Sequence, residues 1–362
     1  MHSNPGTLGV ELEWMTVDSE SGAEVPAAPI VFEAIGESAR VKPELFTSTV
    51  EINTEIHTRT CACVDELARR YSEVTDILRK HGAALLSSGT HPFSTWREQT
   101  VTEDPRYRRL LDRLQWMARR FNIFGMHVHI GMPDGDRCID TMNCLLPVMP
   151  VFLALSANSP FWNGADTGLA ACRIKIFEGL SQGGMPFYFK DWKDFEHCAD
   201  RLLATGSIDS VRDIWWEMRP HPDFGTLEIR IADMPASRPD ATACIAYMRA
   251  ETMAALSEGW SGAHVHPSLI RENRWRACRF GIRMQIIDPE SESTLDLLQW
   301  LPRRLDYLAK RGAAADDIDL VAAQLSAWAN DGDGAIRQRE LRSRYKEFPP
   351  MVSEMRRLDG WQ

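Results

Sequence analysis

The clearest pattern in the chain is the alternation of apolar and polar residues over residues 7–15, which predicts a half-buried β-strand. Four apolar side chains share one face of this strand: Leu8, Val10, Leu12 and Trp14. Glu11 and Glu13 lie on the opposite face beside Gly9. Two neighbouring carboxylates repel each other unless water or a cation separates them. The pair therefore indicates either a solvated sheet face or a cation site.

Three further segments have the same alternation, at residues 47–56, 121–132 and 226–233. Their polar faces carry five side chains with chemical potential: Glu51, His127, His129, Glu228 and Arg230. Because residues i and i+2 of a strand face the same way, the two histidines project from one face. On their own, they are as typical of core histidines bonded to the backbone as of a metal or phosphate site.

Helical spacing of apolar residues accounts for most of the remaining chain. The predicted helices span residues 64–81, 104–120, 137–158, 191–204, 239–260, 268–284, 293–310, 316–329 and 333–346. Pro147 and Pro150 are expected to kink or break the third of these. The run with Arg173 and Lys175 is predicted to be β-like, and residues 208–218 have helical spacing with an extended alternative.

Strands joined by helices predict an α+β fold, in which helices pack on the outer face of an antiparallel sheet. The length of 362 residues fits one large domain or two. We expect a single domain over residues 1–362, with residues 285–362 as a helical C-terminal part packed on it.

Composition and charge narrow the class of protein. The hydrophobic share of 44% and the charged share of 25% are those of an ordinary globular protein. A net charge of -10 without any basic run argues against binding to nucleic acid. The eight scattered cysteines, with no signal-peptide pattern, predict reduced thiols in a cytoplasmic protein, and no apolar run predicts a membrane span.

The acidic strands become informative when they are taken together. If the four strands share one sheet, their carboxylates meet, and hard divalent cations such as Mg²⁺ or Mn²⁺ would relieve the repulsion. Such ions commonly bridge substrate phosphates, with arginine binding the rest.

Three other features remain open to two interpretations. His91 precedes a proline and is either a turn histidine or a site residue, with the glycine and threonine before it favouring the site. Arg219 either grips a substrate carboxylate or forms a structural ion pair. The glycine-rich stretch 179–184 is either a lid or a plain surface loop.

Seven motifs resemble those of the type 2 glutamate–cysteine ligase family, in its bacterial carboxylate–amine ligase branch. They are GVELEW, THPF, FGMHVHIG, ALSANSPFWNGADTG, WEMRP, FGTLEIRIAD and NRWRACRFG. The motifs follow the order of the family from about residue 7 to residue 281, and the chain beyond residue 285 resembles the family only in its helical character.

The resemblance implies a glutamine synthetase-like fold, with a curved antiparallel sheet that forms a funnel-shaped active site and helices outside. It implies six metal ligands: Glu11, Glu13, Glu44, Glu51, His127 and Glu228. Glu44 stands where the family usually has aspartate. Arg230 and Arg173 are expected to stabilise the transferring phosphoryl group. The expected substrate or nucleotide contacts are His129, Arg219, His91 and Lys175.

The implied reaction joins a carboxylate to an amine through an acyl phosphate, with ATP and Mg²⁺ (Mn²⁺ as an alternative) as cofactors. Formation of γ-glutamylcysteine is the first expectation, and the partners are small-molecule substrates and a second copy of the chain in a homodimer. Three alternatives remain: a ligase for another carboxylate and amine, a metal-dependent hydrolase with the same acids, and a non-catalytic relative. The complete acid set and Arg230 argue against the last.

Overall fold

The computed structural model describes residues 1–36, 38–291 and 293–361. Its strands are β1 (Leu8–Asp18), β2 (Val41–Pro43), β3 (Thr49–Asn53), β4 (Ala83–Leu86), β5 (Met126–Gly131), β6 (Phe161–Trp162), β7 (Ala165–Asp166), β8 (Gly183–Gly184), β9 (Trp215–Trp216), β10 (Met218–His221), β11 (Thr226–Ile229), β12 (Gln285–Ile287) and β13 (Thr294–Asp296).

The α-helices surround these strands along the chain. They are α1 (Ala28–Ile35), α2 (Thr60–Arg79), α3 (Pro105–Leu114), α4 (Trp116–Arg119), α5 (Gly135–Leu145), α6 (Met149–Ser156), α7 (Arg173–Phe177), α8 (Trp192–Ala204), α9 (Arg238–Glu258), α10 (Pro267–Phe280), α11 (Leu297–Ala309), α12 (Ala315–Asp331), α13 (Gly334–Arg344) and α14 (Phe348–Leu358).

An antiparallel sheet of seven strands organises the part of the chain that the structure describes. Its order is β10–β11–β5–β1–β3–β2, and β4 pairs with the end of β1. The eleven-residue β1 pairs with β5 along residues 8–12, with β3 along residues 11–15 and with β4 along residues 15–18. The predicted α+β fold with an antiparallel sheet is confirmed.

The apolar face of β1 forms part of the main core, as its alternation predicts. Leu8, Leu12 and Trp14 are fully buried, and α2 packs against β1 while α9 packs against β5. The Trp14 ring lies 5.5 Å from Tyr71 and 5.3 Å from Trp361, centroid to centroid. Because helices cover this face, the glutamates of β1 are turned toward the opposite side of the sheet.

Two predicted helices are each divided into two. The segment 137–158 forms α5 and α6, which meet at an angle of 66°, so the predicted break near Pro147 is confirmed. The segment 104–120 forms α3 and α4, separated at Gln115, whose φ of 50° lies in the left-handed region. Among the described residues, no single helix is both long and apolar enough to cross a membrane, although the bent pair α5 and α6 meets those criteria jointly.

Other local predictions are corrected by the structure. The run with Arg173 and Lys175 is the short helix α7, not a β-like segment. Residues 208–218 contain a 3₁₀ turn at Val211–Asp213 followed by β9 and the start of β10, so their extended alternative is confirmed in part. The predicted helix 293–310 begins only at Leu297, because Thr294–Asp296 forms β13 of the β12–β13 hairpin; this hairpin and α14 were not predicted.

Candidate active site

A cleft of about 550 Å³ opens on the polar face of the sheet. Ten of the twelve side chains predicted for the site line it: Glu11, Glu13, Glu44, Glu51, His127, His129, Arg173, Arg219, Glu228 and Arg230. They come from segments far apart in the chain, and strand register brings them together. Across β1 and β5, Glu11 lies opposite His127; across β1 and β3, Glu13 lies opposite Glu51.

The first group of potential metal ligands consists of Glu11, His129 and Glu228. One ligand atom of each lies within 4.8 Å of the other two. His129 Nε2 is 3.6 Å from Glu11 Oε1 and 3.8 Å from Glu228 Oε1. Burial alone would raise the pKa of Glu11, but hydrogen bonds with His127 and His129 hold it well below its ordinary value. The group therefore presents ionised carboxylates beside an imidazole.

The second group consists of Glu13, Glu44 and Glu51, again with ligand atoms within 4.8 Å of one another. Burial, followed by repulsion from Glu13, raises the pKa of Glu44 to about 7. Burial and the neighbouring carboxylates Glu11, Glu44 and Glu13 raise the pKa of Glu51 well above its ordinary value. With raised pKa values, these carboxyl groups hold protons that neutralise part of their negative charge. A divalent ion could balance the same charge, so the cluster is suited to such an ion.

The two histidines of β5 have different surroundings. His127 Nδ1 is 3.2 Å from Glu11 Oε2, and its Nε2 is 3.9 Å from Glu13 Oε1, so its ring lies between the two groups. His129 Nδ1 is bonded to the Thr226 hydroxyl at 3.0 Å, whereas its buried Nε2 has no hydrogen-bond partner among the residues that the structure describes. An imidazole nitrogen buried without a partner, facing two carboxylates, fits a metal ligand. The structure thus groups His129, rather than His127, with Glu11 and Glu228.

Two arginines lie beside the first group, the buried Arg219 and the partly buried Arg230. Arg219 donates from Nε to Glu228 Oε2 at 2.7 Å, and Arg230 forms an ion pair with Glu228 Oε1. The positive charges of Arg230 and Arg219 overcome the effect of burial and hold the pKa of Glu228 well below its ordinary value. Arg219 also donates to the backbone carbonyls of Arg212 and Ile214. These contacts support a structural role for Arg219. In the described parts of the chain, Arg230 Nε has no hydrogen-bond partner.

His91 and Lys175 do not line the cleft of the described structure. His91 is buried in a turn, where one ring nitrogen bonds the Gly22 carbonyl at 2.9 Å and the other accepts the backbone N–H groups of Phe93 and Ser94. Both nitrogens are used, so the turn interpretation replaces the site interpretation. Lys175 pairs with Glu178 at 3.0 Å, because the helical backbone of α7 directs it away from Arg173.

The sequence prediction did not include the basic wall of the cleft on α3. Arg106, Arg109 and Arg113 all line the cleft, and Arg113 forms an ion pair with Asp213 at 3.0 Å. Their spacing of three and four residues on an amphipathic helix was visible in the sequence. Phe224 was also missed; its half-exposed ring stacks on His221 at 4.2 Å at the β10–β11 hairpin.

The glycine-rich stretch 179–184 is anchored rather than free along its length. Gly183 and Gly184 form the short strand β8, which pairs with β9, and Gly184 accepts a hydrogen bond from the Glu217 backbone at 2.9 Å. Leu180 lines the cleft. The stretch therefore contributes to the wall of the cleft.

Comparison with known proteins identifies the family of the chain. A family model described as glutamate-cysteine ligase family 2 matches residues 7–357. The chain belongs to glutamate-cysteine ligase family 2. A protein from Gloeobacter violaceus, named provisionally as a glutamate–cysteine ligase 2, is 39% identical over 363 residues, which cover 98% of this chain and 96% of the relative. A Bdellovibrio bacteriovorus protein with the same provisional name is 40% identical over 295 residues, or 80% of this chain and 78% of that protein.

Solved structures share the fold of this family member at much lower sequence identity. The glutamate–cysteine ligase of Francisella tularensis, solved in complex with AMP, has a TM-score of 0.75 at 12% identity and covers 98% of this chain and 88% of that one. A bifunctional glutathione synthetase from Pasteurella multocida has a TM-score of 0.70 at 12% identity, covering 96% of this chain and 51% of that one. The family and the fold predicted from the motifs are confirmed.

Proposed function

We propose that this member of glutamate-cysteine ligase family 2 is an ATP-dependent carboxylate–amine ligase. It activates a carboxylate as an acyl phosphate and joins it to an amine, and glutamate and cysteine are the first pair to test. One observation carries the proposal: two groups of potential metal ligands lie on one sheet face in a cleft that also contains buried arginines. Phosphoryl transfer depends on this kind of positioning and charge stabilisation.

The charge of the cleft floor supports an anionic substrate. Five carboxylates, Glu11, Glu13, Glu44, Glu51 and Glu228, lie among three guanidinium groups: those of the buried Arg173 and Arg219 and of the partly buried Arg230. Two divalent cations, one at each ligand group, would change the sign of the floor from negative to positive. A positive, partly enclosed floor favours a polyphosphate and an activated carboxylate over a neutral ligand.

The residues present fit Mg²⁺ or Mn²⁺, since carboxylate oxygens and one imidazole are the donors those ions accept. Glu11, His129 and Glu228 would hold one ion, and Glu13, Glu44 and Glu51 would hold another. Bound there, the ions supply charge neutralisation of phosphate oxygens and alignment of donor and acceptor.

The protein's own side chains supply the remaining stabilisation. Arg230, whose Nε has no partner within the described structure, stabilises negative charge on the transferring phosphoryl group, and Arg173 does so from the wall of the cleft. Arg219 holds the Glu228 carboxylate in place through its 2.7 Å contact. In the second step the amine attacks the acyl carbon, the carbon–nitrogen bond forms, and inorganic phosphate leaves with the oxygen of the original carboxylate.

The test follows that oxygen. With MgATP, cysteine and glutamate carrying heavy oxygen in its side-chain carboxylate, one labelled oxygen should appear in the released phosphate, and γ-glutamylcysteine should form in equal amount. A panel of other carboxylates and amines extends the test to other substrates. If no pair drives ADP release and Mg²⁺-dependent hydrolysis proceeds without ATP, the hydrolase alternative replaces the ligase. The homodimer and the cytoplasmic location stay predictions from the sequence.

A further inference from the structure

Gly125 lies at a point of close approach between the sheet and Arg173. It precedes β5, and its position, two residues before His127, directs a side chain toward the cleft face. A Cβ atom built on Gly125 would lie 2.7 Å from Arg173 Cζ and 3.1 Å from Arg173 Nε. Real Cβ atoms essentially never come within 3.0 Å of another heavy atom, so the guanidinium of Arg173 occupies the space that a Cβ would fill.

The backbone of Gly125 gives no other reason for glycine. Its φ is outside the left-handed region, which residues with a side chain rarely adopt. Its N–H donates to Glu13 Oε2 at 2.6 Å and its carbonyl accepts from the Glu13 backbone at 3.1 Å, contacts that alanine would preserve. The three described atoms nearest to a Cβ at this position all belong to Arg173, which is therefore the main reason for glycine.

Arg173 is buried, with 2% of its surface exposed, yet its guanidinium is poorly satisfied. Nη1 has one long contact, 3.4 Å to the Ile231 carbonyl, and Nε has no partner among the described residues. A buried cation with free donors on the wall of a cleft is suited to an anionic ligand. Arg230, whose Nε is likewise without a partner in residues 1–36, 38–291 and 293–361, lines the same cleft.

We infer that Gly125 is a positioning residue, which admits the Arg173 guanidinium to the sheet surface so that Arg173 and Arg230 together bind a tetrahedral phosphate-like anion. The inference rests on the proposed function, because the anion it assigns is the phosphoryl group in transfer. Gly125 acts only through Arg173: it touches no substrate, and its hydrogen bonds to Glu13 come from the backbone.

The chain offers a matched control in Gly9. This glycine also lies on the polar face, directly opposite His129. A Cβ atom there would meet the His129 Cβ at 3.9 Å, an ordinary contact, and its φ is outside the left-handed region as well. Gly9→Ala therefore adds the same methyl group to the same face of the sheet where space is available.

The test compares Gly125→Ala, Arg173→Ala, the double variant and Gly9→Ala with the unmodified chain. Calorimetry with inorganic phosphate in the presence of MgADP measures anion binding, and ADP release gives kcat and KM. Gly125→Ala and Arg173→Ala should each weaken phosphate binding and lower kcat by about tenfold or more, with the KM for ATP changed by less than about threefold. Gly9→Ala should change phosphate affinity and kcat by less than about twofold.

The double variant separates positioning from general packing. If Gly125 acts through Arg173, adding Gly125→Ala to Arg173→Ala should change phosphate affinity and kcat by less than about twofold. Should Gly125→Ala fail to fold, the double variant should fold again, because truncation of Arg173 makes room for the methyl group. An effect of Gly125→Ala that persists undiminished without Arg173, or a double variant that also fails to fold, overturns the inference.

The two proposals fail in different ways. If the unmodified chain binds phosphate with MgADP but no substrate pair is ligated, the ligase proposal fails and the anion site stands. If it ligates substrates but Gly125→Ala keeps both kcat and phosphate affinity, the positioning role fails and the ligase stands. An unmodified chain that binds no phosphate in the presence of MgADP also overturns the anion site.

Discussion

His127 lies directly opposite Glu11 on the neighbouring strands β5 and β1, with 3.2 Å between His127 Nδ1 and Glu11 Oε2. Two residues along, His129 lies opposite Gly9. Its Nε2 is 3.6 Å from Glu11 Oε1 and 3.8 Å from Glu228 Oε1. The same strand face thus gives its two imidazoles different partners, and this difference predicts different roles.

We expect His129→Ala to weaken Mn²⁺ binding more than His127→Ala does. Loss of His129 removes the unpartnered nitrogen from the first ligand group, and the dissociation constant should rise by at least about tenfold. His127→Ala leaves that group intact and removes only a contact with Glu11. Electron paramagnetic resonance of Mn²⁺ measures this dissociation constant in both variants. The opposite order would instead support His127 as the ligand, as the family resemblance implies.

Replacement of Glu228 by glutamine should remove catalysis while most of the fold is kept. Glu228 is buried between Arg219 and Arg230, so the loss of its charge leaves both guanidinium groups without a full counterion. We expect kcat to fall by more than about 100-fold and the free energy of unfolding to fall by about 1–3 kcal/mol. Urea denaturation and ADP release measure the two effects.

Glu251→Gln is the matched control for Glu228→Gln. Glu251 is equally buried, pairs with Arg304 at 2.7 Å and bonds Tyr247 at 2.6 Å, but it lies outside the active-site cleft. It should show a comparable loss of stability with kcat unchanged. If both variants lose kcat in proportion to their stability, the effect of Glu228 is structural.

The metal-free protein should lose stability as the pH rises toward neutrality. Glu44 has an ordinary pKa near 4.5 when unfolded, and burial followed by repulsion from Glu13 raises it to about 7 in the fold. The folded state therefore holds a proton that the unfolded chain has released. This contribution is complete below about pH 4.5 and is lost as the pH rises through about 7. Glu51 shifts in the same direction.

Mg²⁺ should reduce this decline, because the ion replaces the proton among the carboxylates. The melting temperature of chelator-treated protein should fall between about pH 5.5 and pH 8, and the Mg²⁺-loaded protein should show a smaller change. Glu44→Gln should flatten the metal-free profile, while replacement of the exposed Glu20 by glutamine should leave it unchanged. A profile that is the same with and without Mg²⁺ would show that these acids do not bind the ion.

The strands of the site could be predicted because their two faces differ in the sequence. In β1 the apolar positions face the helices and the glutamates face the cleft, so alternation alone located Glu11 and Glu13. What alternation did not specify is register. Glu13 meets Glu51 only because β1 and β3 pair with this particular offset, across an intervening helix and strand.

Short elements were harder to predict, for identifiable reasons. The run RIKIF alternates basic and apolar residues, and five residues are too few for periodicity to distinguish strand from helix; packing makes it α7. β10 contains Pro220, which argues against a central strand, but in the main sheet β10 pairs only with β11 among the described strands. An edge strand tolerates the missing N–H of proline.

His91 shows where local sequence cannot separate a site residue from a structural one, because its partner Gly22 is remote in the chain. We expect His91→Ala to lower the free energy of unfolding by about 2–4 kcal/mol, since it leaves the Gly22 carbonyl and two backbone N–H groups without partners in a buried turn.

Burial lowers the pKa of His91 to about 4, so the unfolded state binds the proton more readily. Its contribution to stability is present above about pH 6.5 and is lost as the pH falls toward 4, a component that His91→Ala should remove. For the correctly folded His91→Ala variant, kcat and KM should equal those of the unmodified chain. As a control, replacement of the exposed His81 by alanine should alter neither stability nor activity. A His91→Ala protein with an unchanged melting temperature and a reduced kcat would return His91 to the active site.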